Sequence, residues 1–253
     1  MDTEILLALL TLIAFGTYIQ TITGFGLGII VIGVATALNL TSVMVIAAVV
    51  SLVTLVNCVV ALSKNKMKLD WQAIKFVIIG VFPGMLAGVM LLNFLAVSAT
   101  NLLQGLLGIM ILYSGFNLFI SPNKQANPSS NSRFLISGFS SGLTGGLFGM
   151  AGPPLIAHFY KQPFDIKMIR NMLLMVFACT ATTRSILIGL QGQLSKDVLI
   201  LTVLAIPLVI LTTILGQRFP PPLSQTAMKR AVFIMLMLIG LYLLVFAAKG
   251  YFM

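Results

Sequence analysis

The chain is laid out as long, unbroken apolar runs separated by short polar stretches. The runs occupy 4–20, 26–41, 43–63, 72–94, 98–120, 134–149, 152–160, 168–190, 197–217 and 228–248. A helix needs about 20 apolar residues to cross roughly 30 Å of hydrocarbon, and most of these runs are near that length. They lack the alternation of apolar and polar residues that marks the strands of a membrane barrel. The pattern therefore predicts an all-α integral membrane protein. Two runs stand apart. The 26–41 run is short, and the 152–160 run is too short to cross alone. Each follows a glycine-rich break: Thr23-Gly24-Phe25-Gly26-Leu27-Gly28 and Gly145-Gly146-Leu147-Phe148-Gly149-Met150-Ala151-Gly152-Pro153-Pro154. Segments 4–41 and 134–160 are thus expected to be helix–break–helix units, hairpin or re-entrant, with the break at membrane depth.

Composition narrows the class further. Of 253 residues, 59% are hydrophobic and only 8% charged, against about 25% charged in soluble domains. The mean hydropathy is +1.09. A soluble enzyme and a disordered chain are excluded. The net charge of +10 is not a nucleic-acid signal, because in a membrane protein basic residues gather in loops and set orientation. Cys58 and Cys179 both lie inside apolar runs, which argues against a disulfide scaffold and for small apolar fillers. The start, Met1-Asp2-Thr3-Glu4, lacks the basic lead and small-residue cleavage site of a signal peptide. The first run is expected to be a retained, translocated span.

The charges give a topology. Lys64, Lys66 and Lys68, then Lys124 and Arg133, then Lys161, Lys167 and Arg170, then Arg218, Lys229 and Arg230 fall in alternate connections. The intervening connections carry little beyond Lys196 and Asp197. Because each broken unit returns to its starting side, an outside N-terminus puts every basic loop on the cytoplasmic side of a cell membrane. The C-terminus is then outside as well. The chain divides into halves at 1–120 and 133–253, joined by a cytoplasmic linker over 121–132 with Pro122, Pro128, Ser129 and Ser130. Five helices per half make the halves inverted. Asp70 has a counterpart in Asp197, Gly88 in Gly216, Gly115 in Gly240, Gly24 in Gly149 and Gly28 in Pro153, at offsets of 125 to 128. Inverted repeats with interrupted helices point to a secondary transporter.

The breaks and one cation carry the candidate chemistry. A helix that begins inside the membrane presents unpaired N–H groups and its positive dipole end, an anion site. Pro153 suits a first helical turn, where its missing N–H is harmless. The glycines have a second reading, as points of tight helix packing. Arg184 lies well inside the 168–190 run, where a charge costs at least about 2.5–3.5 kcal/mol. Asp2, Glu4, Asp70, Asp165 and Asp197 all stand near span ends, so no carboxylate is placed to pair with it. The cation then awaits an anionic substrate, or it snorkels to the outer interface. The candidate substrate-binding set is Gln20, Thr21, Thr23, Gly24, Phe25, Gly26, Gly28, Asn57, Thr144, Gly145, Gly149, Met150, Ala151, Gly152, Pro153, Thr180 and Arg184. His158, the single histidine, is expected at the cytoplasmic interface.

The sequence resembles the sulfite exporter TauE/SafE family over nearly its whole length. The motif running from Ser141 to Pro154 carries most of the likeness, with Leu69-Asp70-Trp71 followed by Gly80, Gly84 and Gly88. Leu27 and Ile29 stand where small residues are common in the family. The resemblance implies transport of small sulfur-containing anions, such as sulfite or organosulfonates, most often outward. Neither composition nor periodicity names that substrate.

An anion leaving a negative-inside cell gains about 2.3 kcal/mol per charge per 100 mV, so export needs no coupling ion. The expectation is a uniport-like exporter working by alternating access. An anion channel and a proton-coupled uptake permease are the competing readings. An intramembrane enzyme would need a nucleophile–base pair, and His158 has no evident serine or cysteine partner. A structural subunit would leave the repeated breaks without a purpose. No enzyme activity, cofactor, metal or nucleic acid is expected. The expected partners are a small anion, the lipid bilayer and a second copy of the chain in a homodimer.

Overall fold

The computed structural model describes residues 3–63, 69–98, 100–119, 124–219, 234 and 236–245. Lys64, Lys66, Lys68, Pro122, Lys229, Arg230, Asp2 and most of the start of the last apolar run lie outside them. The described residues are helical, with no strand among them. In chain order the helices are α1 (Thr3–Thr23), α2 (Leu27–Ala37), α3 (Val43–Leu62), α4 (Trp71–Ser98), α5 (Thr100–Phe119), α6 (Asn131–Phe148), α7 (Gly152–Tyr160), α8 (Ile166–Leu190), α9 (Lys196–Arg218) and α10 (Leu236–Val245). Five of them, α1, α3, α4, α8 and α9, are long and apolar enough to span a membrane. The molecule is a multi-pass membrane protein, and large apolar side chains such as Phe82, Met90, Phe94, Val203 and Leu238 cover its outside.

Each apolar run up to 197–217 became one helix, with the differences at the ends; of the 228–248 run only residue 234 and residues 236–245 are described, and they are helical. Helix α1 runs on to Thr23 because Gln20, Thr21 and Thr23 are helical although polar. Helix α6 begins at Asn131, three residues before its apolar run, after extended Ser130. Counting apolar residues misses such polar terminal turns. Helix α2 stops at Ala37, short of 41, because Asn39 turns left-handed (φ 50°) and the Leu40 N–H bonds back to the Ala35 carbonyl at 2.9 Å. Polar side chains then restart the helices. The Ser42 hydroxyl accepts from Val45 N at 3.3 Å, Asp70 Oδ1 from Ala73 N at 3.0 Å, and Ser195 Oγ from Val198 N at 3.3 Å. The described part of the linker is tied down. Buried Gln162, just past α7, accepts from Ser129 N at 2.9 Å and donates to Ser129 Oγ at 2.9 Å.

The core is an interlock of the two halves of the chain. Helix α3 packs on α8 and α9, α4 lies along α6, and α1 along α9. The α4–α6 contact is backbone to backbone. Gly80, Gly84 and Gly88 lie against the α6 backbone and Gly138, Gly142 and Gly146 against the α4 backbone, and a methyl group at Gly142 would fall 2.9 Å from Met85 N. This is the small-residue packing expected where helices associate in lipid. The short helices α2 and α7 sit inside this frame. All but one residue of α2 are buried.

Candidate functional site

Both breaks lie in the interior, and left-handed glycines make them. Gly26 (φ 119°) precedes α2 and Gly149 (φ 69°) ends α6. These conformations cost little only without a Cβ. The breaks touch each other: a Cβ on Gly28 would stand 3.0 Å from Met150 Cβ. Between them is a small cavity of about 30 Å³, enough for one or two water-sized groups. Its depth follows from the helices that wall it. Thr54 and Phe177, both on its wall, each stand eleven residues past the first residue of α3 and α8. At 1.5 Å per residue that is about 16 Å along each helix, near the middle of both.

Of the residues singled out in the sequence, Gln20, Phe25, Gly26, Gly28, Gly145, Gly149, Met150, Ala151, Gly152, Thr180 and Arg184 line this cavity. Residues separated by up to 164 positions in sequence are thus brought around one space. Thr21, Thr23, Gly24, Asn57 and Thr144 are not on its wall. Asn57 was expected as a donor to the anion, but its amide is fully engaged elsewhere. Its Nδ2 donates to Thr21 Oγ1 and Thr213 Oγ1, each at 2.8 Å, and its Oδ1 accepts from Gln20 Nε2 at 2.9 Å. Asn57 therefore stands behind Gln20 and holds it, linking α1, α3 and α9. Thr23 Oγ1 donates within its own break, to the Ile19 and Phe25 carbonyls at 2.8 and 2.6 Å. Thr144 Oγ1 donates to the Ser141 carbonyl at 3.1 Å. Gly24 is packed under Arg170, whose Cγ a methyl group there would meet at 3.0 Å. Pro153 stands in the first turn of α7.

Arg184 is almost wholly buried, at 1% exposure, and does not snorkel. Its Nη1 donates to the Ala47 carbonyl at 2.7 Å and to Ser51 Oγ at 3.0 Å, and its Nε to the Gly146 carbonyl at 3.3 Å. Gly146 belongs to the last turn of α6, whose carbonyls have no acceptor role within the helix. The guanidinium therefore caps the negative end of α6 and ties it to α3. Its Nη2 is buried with no hydrogen-bond partner among the described residues. No carboxylate lines the cavity. The site holds a desolvated cation with both N–H groups of one nitrogen, Nη2, to spare among the described residues.

The two helix starts differ in the donors they offer. The first turn of α2 (Leu27, Gly28, Ile29) keeps its N–H groups, whereas Pro153 and Pro154 remove two from α7. The α2 tip therefore offers more free N–H groups than the α7 tip. Ser141 Oγ donates to the Ala151 carbonyl and braces the second break against α6. Sequence reasoning missed Ile29, Ser51, Thr54, Met85, Phe177 and Ala181 on the wall. Thr54 had a signal: it lies 126 positions before Thr180, inside the offset range of the paired glycines. Ser51 is one turn from Thr54 on the same face of α3. The others are apolar wall residues with no chemical mark. His158 lies at the end of α7, stacked edge-on against Phe134 at 5.0 Å and away from this cavity.

Comparison with known proteins bears on this site. The family model described as sulfite exporter TauE/SafE matches residues 8–243. A protein of Cupriavidus necator described as "Probable sulfite/organosulfonate exporter TauE" is 44% identical over 254 residues, covering 99% of each chain. No solved structure matches the chain.

Proposed function

The chain belongs to the sulfite exporter TauE/SafE family, and from that premise we propose that it exports small sulfur-containing anions by alternating access. Arg184 and the α2 tip are the substrate-binding groups. The observation that carries the reading is the unpartnered Nη2 of a buried arginine beside a cavity where two helix breaks meet. A sulfonate or sulfite oxygen would supply the missing acceptor and the missing negative charge. Removing Arg184 would leave the anion no charged donor, only backbone N–H groups, the Gln20 amide and the hydroxyls of Ser51, Thr54 and Thr180.

The proposal includes inverted repeats over 1–120 and 133–253. Exchanging α1–α5 with α6–α10 turns the α1–α9 contact into α6–α4, α2–α3 into α7–α8 and α1–α2 into α6–α7, and leaves α3–α8 unchanged. Each of these contacts is present. Pro83 inside α4 and Pro207 inside α9 match in the same way. The reading also places both termini outside a bacterial inner membrane and all basic loops inside, with a homodimer as the assembly. The present cavity of about 30 Å³ is too small for an anion of four or more heavy atoms, which favours a carrier that closes around its cargo over an open channel. Loading then requires the two broken units to part.

The test is transport in sealed vesicles. Sulfite efflux should rise with an inside-negative potential, and Arg184→Ala should lower it by about 100-fold or more, as for loss of one partner of a buried charge pair. Arg184→Lys should restore only part, since a point charge cannot reach both the Ala47 carbonyl and the anion. Efflux indifferent to potential would remove the uniport reading. Full transport by a folded Arg184→Ala protein would remove Arg184 from the site. Single-channel currents would replace the carrier with a channel.

A further inference from the structure

A second, larger hollow runs along α7, from Pro154 just past the second break to the end of the molecule where α6 begins and α7 stops. It has a volume of about 280 Å³, and its wall includes Arg133, His158, Lys161, Ile136, Ala157 and Tyr113. The wall is divided by chemistry. Arg133, in the first turn of α6, and Lys161, just past α7, are both solvent-exposed cations. No carboxylate lines the hollow. Ile136 and Tyr113 are 62% and 47% exposed, like the large apolar side chains elsewhere on the outside of this membrane protein, which fits a side of the hollow turned toward lipid. Cations at the helix ends and an apolar wall toward the hydrocarbon reproduce the polarity of a lipid, headgroup outward and chain inward.

We propose that this hollow between α5, α6 and α7 binds the phosphodiester headgroup of an anionic phospholipid. The Arg133 guanidinium offers paired N–H donors to phosphate oxygens, and the Lys161 ammonium adds a second charge. The first acyl carbons lie along Ile136 and Tyr113. The leaflet is the one on the side of the basic loops, where anionic headgroups bind basic pockets between membrane helices. The α7 end of the hollow is fixed, because Gln162 Nε2 donates to the His158 carbonyl at 3.1 Å and also anchors Ser129. A transported anion is the poorer fit, since the hollow opens toward lipid and shares no wall residue with the central cavity.

The test is lipid retention by the purified full chain, read by native mass spectrometry with phosphatidylglycerol and phosphatidylcholine supplied in equal amounts. The parent protein should keep phosphatidylglycerol in preference. The Arg133→Gln/Lys161→Gln double variant should lose that preference by about 30-fold, the scale of two basic residues near an anionic surface. Lys167→Gln, a charge change outside the hollow, should not. Ala157→Trp, which fills the hollow without altering charge, should also lose the lipid and serves if the double variant does not fold. Equal retention of both lipids by the parent would overturn the proposal. So would retention unchanged in the double variant and in Ala157→Trp, or displacement of the lipid by inorganic phosphate at millimolar concentration, which would make this a site for free anions. None of these readouts depends on transport.

Discussion

Among the seams that join the halves of the chain, α4 with α6 and α1 with α9 are built in opposite ways. Along α4–α6 six glycines bring the backbones together; a methyl group at Gly84 would fall 3.0 Å from Leu143 N, and one at Gly146 would fall 2.7 Å from Val89 N. Nothing adjustable lies between those helices. Along α1–α9 the contact runs through side chains. Tyr18 Oη donates to the Phe219 carbonyl at 2.9 Å, and Asn57 bridges Thr21 to Thr213. Gly216 meets only the side chains of Thr21 and Tyr18, the nearest at 3.2 Å. Two seams that correspond under the inverted-repeat proposal thus differ in stiffness. Packed backbones have one arrangement, whereas side-chain hydrogen bonds can exchange partners. Motion that opens the central cavity is expected at the α1–α9 side, with α4–α6 as the fixed frame.

Mutations at the two seams should therefore differ in size. Gly142→Val should be the most damaging, because its branched side chain would be driven into the Val81 carbonyl and Met85 N. A loss of about 3 kcal/mol, at the upper end for overpacking, should appear as poor recovery of monodisperse protein and an early thermal transition. A Gly142→Val protein as stable as the parent would break the comparison. Asn57→Ala should cost less, about 2 kcal/mol, by stranding Gln20 Nε2 and removing the bonds that the Thr21 and Thr213 hydroxyls accept, although both still donate to the Thr17 and Val209 carbonyls. It should also slow transport, because Gln20 on the cavity wall loses its support. Tyr18→Phe removes one bond at the exposed end of the same seam and should cost about 1 kcal/mol in thermal unfolding. Gly216→Ala should be mildest, at under about 1 kcal/mol, since only side chains must shift by tenths of an ångström. Should Gly216→Ala prove as harmful as Gly142→Val, the two seams are equally rigid and the hinge lies elsewhere.

The candidate site was legible in part. Arg184 stood out as a charge in an apolar run, and the glycine–proline breaks as helix interruptions; both now meet on one wall. The fate of Asn57 was not legible. A buried amide in a span reads equally as a ligand donor or as a brace, and only the positions of Gln20, Thr21 and Thr213 decide between them. The same holds for Arg184 Nε and Nη1, whose partners Gly146 and Ala47 are backbone carbonyls that carry no side-chain signature.

The sequence alone determined the class, the boundaries of α1 to α9 to within a turn or so, and the places where helices must break. Those properties depend on local facts: the length of an apolar run against the bilayer, and the ability of glycine to turn left-handed where other residues resist. The tertiary structure alone decided which breaks touch, which polar side chains face the cavity and which satisfy one another, and which of two similar seams is closed by backbone. These depend on approach distances between segments more than a hundred residues apart, and an approach distance of 3 Å leaves no trace in the order of residues along the chain.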